Sequence, residues 1–160
     1  MADIEFTDNS RRALSELNEV VDRILEAWGI TGERNAKLEL ENNPRRVDTG
    51  LLRNSVTYAL SGGSPNITTY QSNSADKNGN PVDIKSGNYS GTAPIQGKGS
   101  KAVFIGTNVE YAEYVHEGTK GGKTKKGTPI PPMAPNRFIK NGIANHKEDF
   151  KTIMKNELEG

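Results

Sequence analysis

The central quarter of this chain is poor in the side chains that build a hydrophobic core. Of the 40 residues from 61 to 100, 25 are Gly, Ser, Asn, Thr or Pro. A core requires apolar side chains at regular helical or strand spacing, so the fold must be built from residues 1–60 and 101–160. We therefore predict one domain over residues 1–160, in which residues 61–100 form an extended insertion.

The insertion nevertheless carries apolar residues that a pure linker lacks. Residues 68–70 and 82–84 predict the two arms of a hairpin, because an Asn-Gly pair lies between them near the tip. A two-stranded arm is only marginally stable alone in water, so a surface outside the domain is needed to order it. We predict that this arm contacts a neighbouring subunit through Ile67, Tyr70, Val82, Ile84 and Tyr89.

Composition excludes several classes of protein. The chain has no cysteine, which excludes disulfide scaffolds, cysteine-zinc sites and thiol catalysis. Its net charge of +1 gives no reason to expect general attraction to DNA or to an anionic membrane. No apolar run approaches the ~18 residues of a membrane span, and the N-terminus does not resemble a signal peptide. We expect a protein made in a reducing cytosol, without a metal, a cofactor or a membrane partner.

Both ends of the chain carry helical apolar periodicity. Over residues 8–28 the apolar residues recur at three- and four-residue steps, and Gly29 is predicted to end that helix in a left-handed conformation. Residues 33–42 favour a second helix, although their alternating apolar residues also suit a strand. Residues 136–158 predict a single C-terminal helix with an apolar stripe.

The segments between these helices predict a small sheet. Residues 55–60 and 101–106 contain the β-branched and aromatic residues typical of strands. A short helical turn precedes the first strand, residues 109–117 predict a helix after the second, and residues 119–131 predict a mobile lysine-glycine loop. The prediction is an α+β fold, with a small antiparallel sheet flanked by N-terminal and C-terminal amphipathic helices.

The Asp48-Thr49-Gly50 tripeptide is the one that aspartic proteases use. In those enzymes the Asp lies in a tight turn and shares a proton with a second Asp, which a homodimer of this chain would supply. That turn needs a preceding apolar strand, whereas an Arg-Arg pair precedes the tripeptide here. A helix N-cap explains all three residues and is the favoured interpretation.

Two further features have a structural interpretation that outweighs the chemical one. His116 and His146 lie thirty residues apart without any metal-binding spacing, so each is predicted to be a helix residue. The four lysines at 120–126 can meet DNA phosphates at salt-sensitive affinity. No aromatic residue is interleaved with them to stack on bases, so a solvated loop is favoured over a nucleic-acid-binding module.

Three blocks of sequence stand out by their order and spacing. They are RVDTGLLRNS at 46–55, VFIGTNVEYAEYVHEGT at 103–119, and PPMAPNRFI at 131–139, which leads into the terminal helix. Together they resemble the tail-completion or head–tail joining (neck) protein family of long-tailed bacteriophages. The blocks frame nearly the whole chain outside the insertion and the lysine-glycine loop.

This resemblance implies a structural protein of the virion neck or tail top rather than an enzyme. It implies a homo-oligomeric ring, expected to be a hexamer, which is assembled in the host cytoplasm and encloses DNA without sequence-specific binding. Connector, adaptor or stopper proteins would contact one side, and tail-tube or terminator proteins the other. A tail terminator that caps the tube is the structural alternative, and a dimeric aspartic protease acting through Asp48 is the enzymatic one. The resemblance assigns structural or interface roles to Asp48, Thr49, Gly50, Leu52, Arg53, Ser55, Tyr111, Tyr114, Gly118, Thr119 and Phe138.

Three of these motif residues have predicted contacts. We expect Arg53 to pair with Glu110 or Glu113, which lie on the short helix of the second block. We expect Tyr111 and Tyr114 to pack that helix on the sheet while their hydroxyl groups stay near water.

Overall fold

The computed structural model describes residues 8–42, 51–61, 67–70, 87–90, 101–107 and 109–159. Within these residues it contains five α-helices and three antiparallel pairs of strands. The helices are α1 (Ser10–Glu41), α2 (Leu51–Ser55), α3 (Ala112–Glu117), α4 (Phe138–Ala144) and α5 (Lys147–Glu159). The strands are β1 (Thr57–Leu60), β2 (Ile67–Tyr70), β3 (Gly87–Ser90), β4 (Val103–Gly106), β5 (Gly122–Lys123) and β6 (Pro129–Ile130).

Helix α1 is one continuous helix of 32 residues, about 48 Å long. The predicted break at Gly29 is wrong, and the two predicted segments belong to the same helix. Gly29 lies under the ring of Tyr58 and Gly32 under the side chain of Ile105, so both glycines are buried beneath β1 and β4. Packing of this kind stabilises a helix more than intrinsic propensity does, which is why two glycines do not end α1.

The central strand pair joins the two segments that were predicted as strands. Strand β1 pairs with β4 in antiparallel register, with Thr57 opposite Gly106 and Leu60 opposite Val103. Burial of Tyr58 against α1 raises its pKa above the ordinary value, and the carboxylates of Glu26 and Glu33 raise it further. The described strands form three separate two-stranded sheets, all antiparallel. The predicted antiparallel pairing is therefore confirmed, whereas the prediction of a single small sheet is wrong.

The described part of the insertion contains a different hairpin from the predicted one. Strand β2 pairs with β3, with Ile67 opposite Ser90 and Tyr70 opposite Gly87. The partner of the 67–70 strand is therefore 87–90 rather than 82–84. Val82 and Ile84 lie outside the described residues.

The hydrophobic core surrounds the C-terminal end of α1. Phe138, Leu40 and Val56 are its largest fully buried apolar side chains. Helices α2, α3 and α4 each contribute residues to it. The cluster consists of Ala36, Leu40, Leu52, Val56, Val109, Ala112, Val115 and Phe138.

The C-terminal segment forms two helices instead of the predicted single one. Helix α4 ends at Ala144, and a turn at Asn145–His146 separates it from α5. The turn redirects the chain so that α5 packs along α1, where Trp28 Nε1 donates a hydrogen bond of 2.9 Å to the Phe150 carbonyl oxygen. The two rings also meet edge to face, with centroids 6.1 Å apart.

Helix α4 crosses α1 where both helices carry small residues. A methyl group at Gly142 would lie 2.7 Å from the backbone nitrogen of Ala36. Propensity alone predicts that Gly142→Ala stabilises α4 by about 1 kcal/mol. Because the obstructing atoms belong to the backbone, we expect instead a loss of about 1–3 kcal/mol in unfolding free energy, measured by denaturant titration.

Gly122→Ala is the matched control for this substitution. No atom lies within 4 Å of the position that a methyl group at Gly122 would occupy, so its unfolding free energy should stay within about 0.5 kcal/mol of the original chain. A Gly142→Ala protein as stable as this control would contradict the close crossing of α1 and α4.

Candidate interaction site

A groove of about 520 Å³ opens between the end of β4, helix α3 and helix α4. Its floor is apolar, because Phe138 and Ala112 are buried there and Ile139 packs against the core. Its rim carries charge. The groove is lined by Gly106, Thr107, Ala112, Glu113, His116, Glu117, Phe138, Ile139 and Lys140.

Helix α3 forms one wall of the groove. It begins at Ala112 rather than at residue 109, and it buries Ala112 and Val115 against the core. It ends at Glu117, and the following Gly118 has a φ of 76°, a positive value that glycine adopts without strain. A side chain at Gly118 would also collide with the Met133 carbonyl oxygen. The predicted end of this helix at residue 117 is therefore confirmed.

His116 joins the wall of the groove to its floor. Its ring meets the Phe138 ring edge to face, with centroids 5.3 Å apart. Its Nδ1 atom lies 2.7 Å from Oε1 of Glu117. These two contacts hold the imidazole against the aromatic floor and keep one carboxylate at the rim.

Tyr111 is the N-cap residue of α3 and Tyr114 lies within the helix; their predicted packing on the sheet stays a prediction. Tyr111 is 40% exposed and Tyr114 is 60% exposed. Tyr114 directly precedes the buried Val115 and is turned about 100° away from it, whereas Tyr111, four residues before Val115, lies about 40° from it around the helix axis. Tyr114 is therefore the more exposed of the two side chains.

Ser55 connects α2 to the edge of the groove through a chain of hydrogen bonds. Its hydroxyl donates to the Leu52 carbonyl oxygen at 2.8 Å, and its Oγ lies 2.5 Å from Oγ1 of Thr107. Thr107 Oγ1 accepts a hydrogen bond from the Val109 amide. Because the only hydroxyl hydrogen of Ser55 is already engaged, we assign Thr107 as the donor between the two hydroxyl groups.

The remaining residues of the first sequence block are only partly described. Leu52 is buried in the core. Arg53 donates to Glu41 at 2.6 Å, so the predicted pairing with the glutamates of α3 is wrong: the end of α1 lies nearer to α2. Asp48, Thr49 and Gly50 lie outside the described residues, and their predicted capping role stays a prediction.

The predicted lysine-glycine loop contains a short hairpin, β5–β6, above a bridge between Thr119 and Met133. Its tip is closed around Thr124, whose amide donates to the Thr128 carbonyl and whose hydroxyl accepts from the Thr128 amide. All residues from 122 to 130 are exposed. Among the described residues, no carboxylate forms an ion pair with its lysines. These lysines are Lys120, Lys123, Lys125 and Lys126.

The described ranges contain neither a cluster of metal-binding side chains nor a membrane-spanning helix. Nowhere within them do three or more His, Asp or Glu side chains gather in a way that could hold a metal ion. His146 contacts Asp149 on α5 at 3.3 Å and is separate from His116. None of the described helices combines the length and apolarity that a bilayer crossing requires.

Comparisons with protein-family models, with curated proteins and with solved structures find no match to this chain. The site is therefore interpreted from its own geometry. The sequence interpretation missed the groove, although one signal was present: Glu113 and Glu117 are four residues apart, which places both carboxylates on one face of a helix.

The two faces of α3 should respond differently to truncation. Val115→Ala removes buried methyl groups and should lower the unfolding free energy by about 2 kcal/mol. Tyr114→Ala removes a larger but mostly exposed side chain and should change it by less than about 0.5 kcal/mol. Denaturant titration of both variants measures the difference. A larger loss for Tyr114→Ala would reverse the assignment of the faces.

The hydroxyl pair of Ser55 and Thr107 should behave as a coupled unit. Ser55→Ala leaves the Thr107 hydroxyl and the Leu52 carbonyl without their partner. It should lower the unfolding free energy, measured by denaturant titration, by about 1–2 kcal/mol. A double-mutant cycle with Thr107→Val should show less loss for the double variant than for the sum of the singles. Strict additivity of the two losses would mean that the 2.5 Å contact contributes no interaction energy.

Proposed function

We propose that this chain is a structural protein of a bacteriophage neck or tail top, which acts in tail completion or head–tail joining. Copies of the chain would associate into a ring that encloses the DNA, with connector or stopper proteins on one side and tail-tube proteins on the other. The action is geometric: the ring seals the joint between head and tail while DNA passes through it.

The resemblance of the three sequence blocks supports the phage assignment, and the uncovered start of α1 supports contact with another protein. Leu14 and Leu17 are 59% and 53% exposed. They continue the stripe of Val21, Ile24 and Trp28 at three- and four-residue steps, and farther along this stripe Trp28 lies against α5. Single exposed leucines are ordinary on protein surfaces. Here, however, they extend an apolar stripe that α5 covers farther along the helix, and no other described element covers its start. Such a stripe supports contact with another protein.

The arrangement of surfaces along α1 also supports an assembly role. The leucine stripe lies at the N-terminal end of the helix, whereas the core cluster that includes Leu40 surrounds its C-terminal end. The exposed tyrosines and the groove lie beside that core. A subunit of a cyclic ring needs two different contact surfaces, because each contact in such a ring is heterologous.

Removing the leucine stripe should prevent assembly without unfolding the subunit. The double variant Leu14→Ser, Leu17→Ser should keep its unfolding free energy within about 0.5 kcal/mol, since both side chains are already exposed. Native mass spectrometry should detect a closed oligomer for the original chain and a shift towards monomer for the variant. The same variant should fail to support joining of heads to tails in an assembly reaction.

The matched control changes the opposite face of the same helical turns. Arg12 and Glu16 form an exposed ion pair there, at 2.8 Å, so Arg12→Ser with Glu16→Ser should leave assembly unchanged. An original chain that stays monomeric both alone and with neighbouring head and tail proteins would refute the ring.

A further inference from the structure

The groove beside α3 has the chemistry of a receptor for lysine side chains. Its floor is apolar, and its rim sets the carboxylates of Glu113 and Glu117 against the single ammonium group of Lys140. A lysine side chain combines a four-carbon apolar stem with a charged end. Such a side chain can lay its stem along the half-buried Ile139 and place its ammonium group at the acidic rim.

The β5–β6 hairpin presents lysines of this kind. Lys125 and Lys126 occupy the tip, which is closed by hydrogen bonds through Thr124. Because the turn is already formed in the free subunit, binding through it loses less conformational entropy than binding through an unstructured loop. Within one copy these lysines form no ion pair with a carboxylate of the described residues.

We propose that the β5–β6 hairpin of one copy docks in the α3–α4 groove of a second copy. Lys125 and Lys126 then pair with Glu113 and Glu117, which gives a head-to-tail contact between two different surfaces of the same chain. The occupant is a second copy because donor and receptor are both present on this chain and have opposite charge. The inference rests on the proposed ring and names one of its subunit contacts. This contact weakens as salt is raised, since its charges are at the surface.

Reciprocal charge reversal tests the contact. The hairpin variant is Lys123→Glu, Lys125→Glu, Lys126→Glu, and the groove variant is Glu113→Lys, Glu117→Lys. In each variant alone both surfaces carry the same sign, so self-association should weaken at least about tenfold. An equimolar mixture should recover it, because each hairpin then meets a groove of opposite charge in an alternating assembly. Native mass spectrometry measures all three samples, and thermal unfolding of each variant verifies that it is folded.

The control reverses three exposed lysines of α5. Lys147→Glu, Lys151→Glu and Lys155→Glu produce the same change in net charge as the hairpin variant, at residues that are also exposed. This variant should associate as the original chain does. Loss of association in the control would attribute the effect to net charge and overturn the inference.

A second measurement needs no substitution. Zero-length carbodiimide coupling joins a carboxylate to an amine in direct contact, so it should link the hairpin lysines to Glu113 or Glu117. In a mixture of ¹⁴N and ¹⁵N chains, these links should include pairs that carry both labels. Links found only within one copy would overturn the inference.

The remaining outcomes separate this contact from the ring itself. If the original chain assembles and both charge-reversed variants assemble equally well, the contact is wrong and the ring stands. If neither charge-reversed variant associates alone and their mixture does not associate either, the hairpin and the groove do not contact each other. If the hairpin variant assembles normally but loses salt-sensitive binding to duplex DNA, the hairpin serves nucleic acid instead. If the original chain never associates, the ring and this contact fail together.

Discussion

The close approach of α1 to its neighbours is the constraint on which the rest of the structure depends. Gly29 and Gly32 admit the side chains of β1 and β4, and Ala36 meets Gly142 of α4. Small residues at these positions bring β1, β4 and α4 into contact with α1. Van der Waals contacts and the burial of apolar surface then stabilise the C-terminal two thirds of this helix. A larger side chain at any of them would push a neighbouring element away and open the core.

This packing gives the molecule two dissimilar ends. At the C-terminal end of α1 the core is covered by α2, α3 and α4, and the groove forms where α3 and α4 diverge beside Phe138. At the N-terminal end the apolar stripe extends past its cover, and Leu14 and Leu17 are exposed. Apolar and charged surfaces at separate places are compatible with the proposed ring, whose contacts would join two different surfaces of the chain.

Sequence patterns predicted well the elements whose local signal agrees with their environment. Both strands of the central pair, the short helix of the second block and its end at Glu117 follow from β-branched runs, periodicity and glycine chemistry. The predictions at Gly29 and at residues 136–158 are wrong for a shared reason. In each case the local pattern allows two outcomes, and contacts with distant elements choose between them. The phage function, the ring and its partners stay proposals.

The sequence by itself determined the helical character of both ends of the chain, the two strands of the central pair, and which segments carry enough apolar side chains to form a core. Those properties depend on neighbours within about ten residues of each other. Only the tertiary structure decided that α1 is continuous, that Arg53 meets Glu41, and that Glu113 and Glu117 border an apolar groove. These features join residues that are far apart in the chain. Hydrophobic periodicity does not predict them, because it describes only near neighbours in sequence. They depend on how small residues allow the helices and strands to pack.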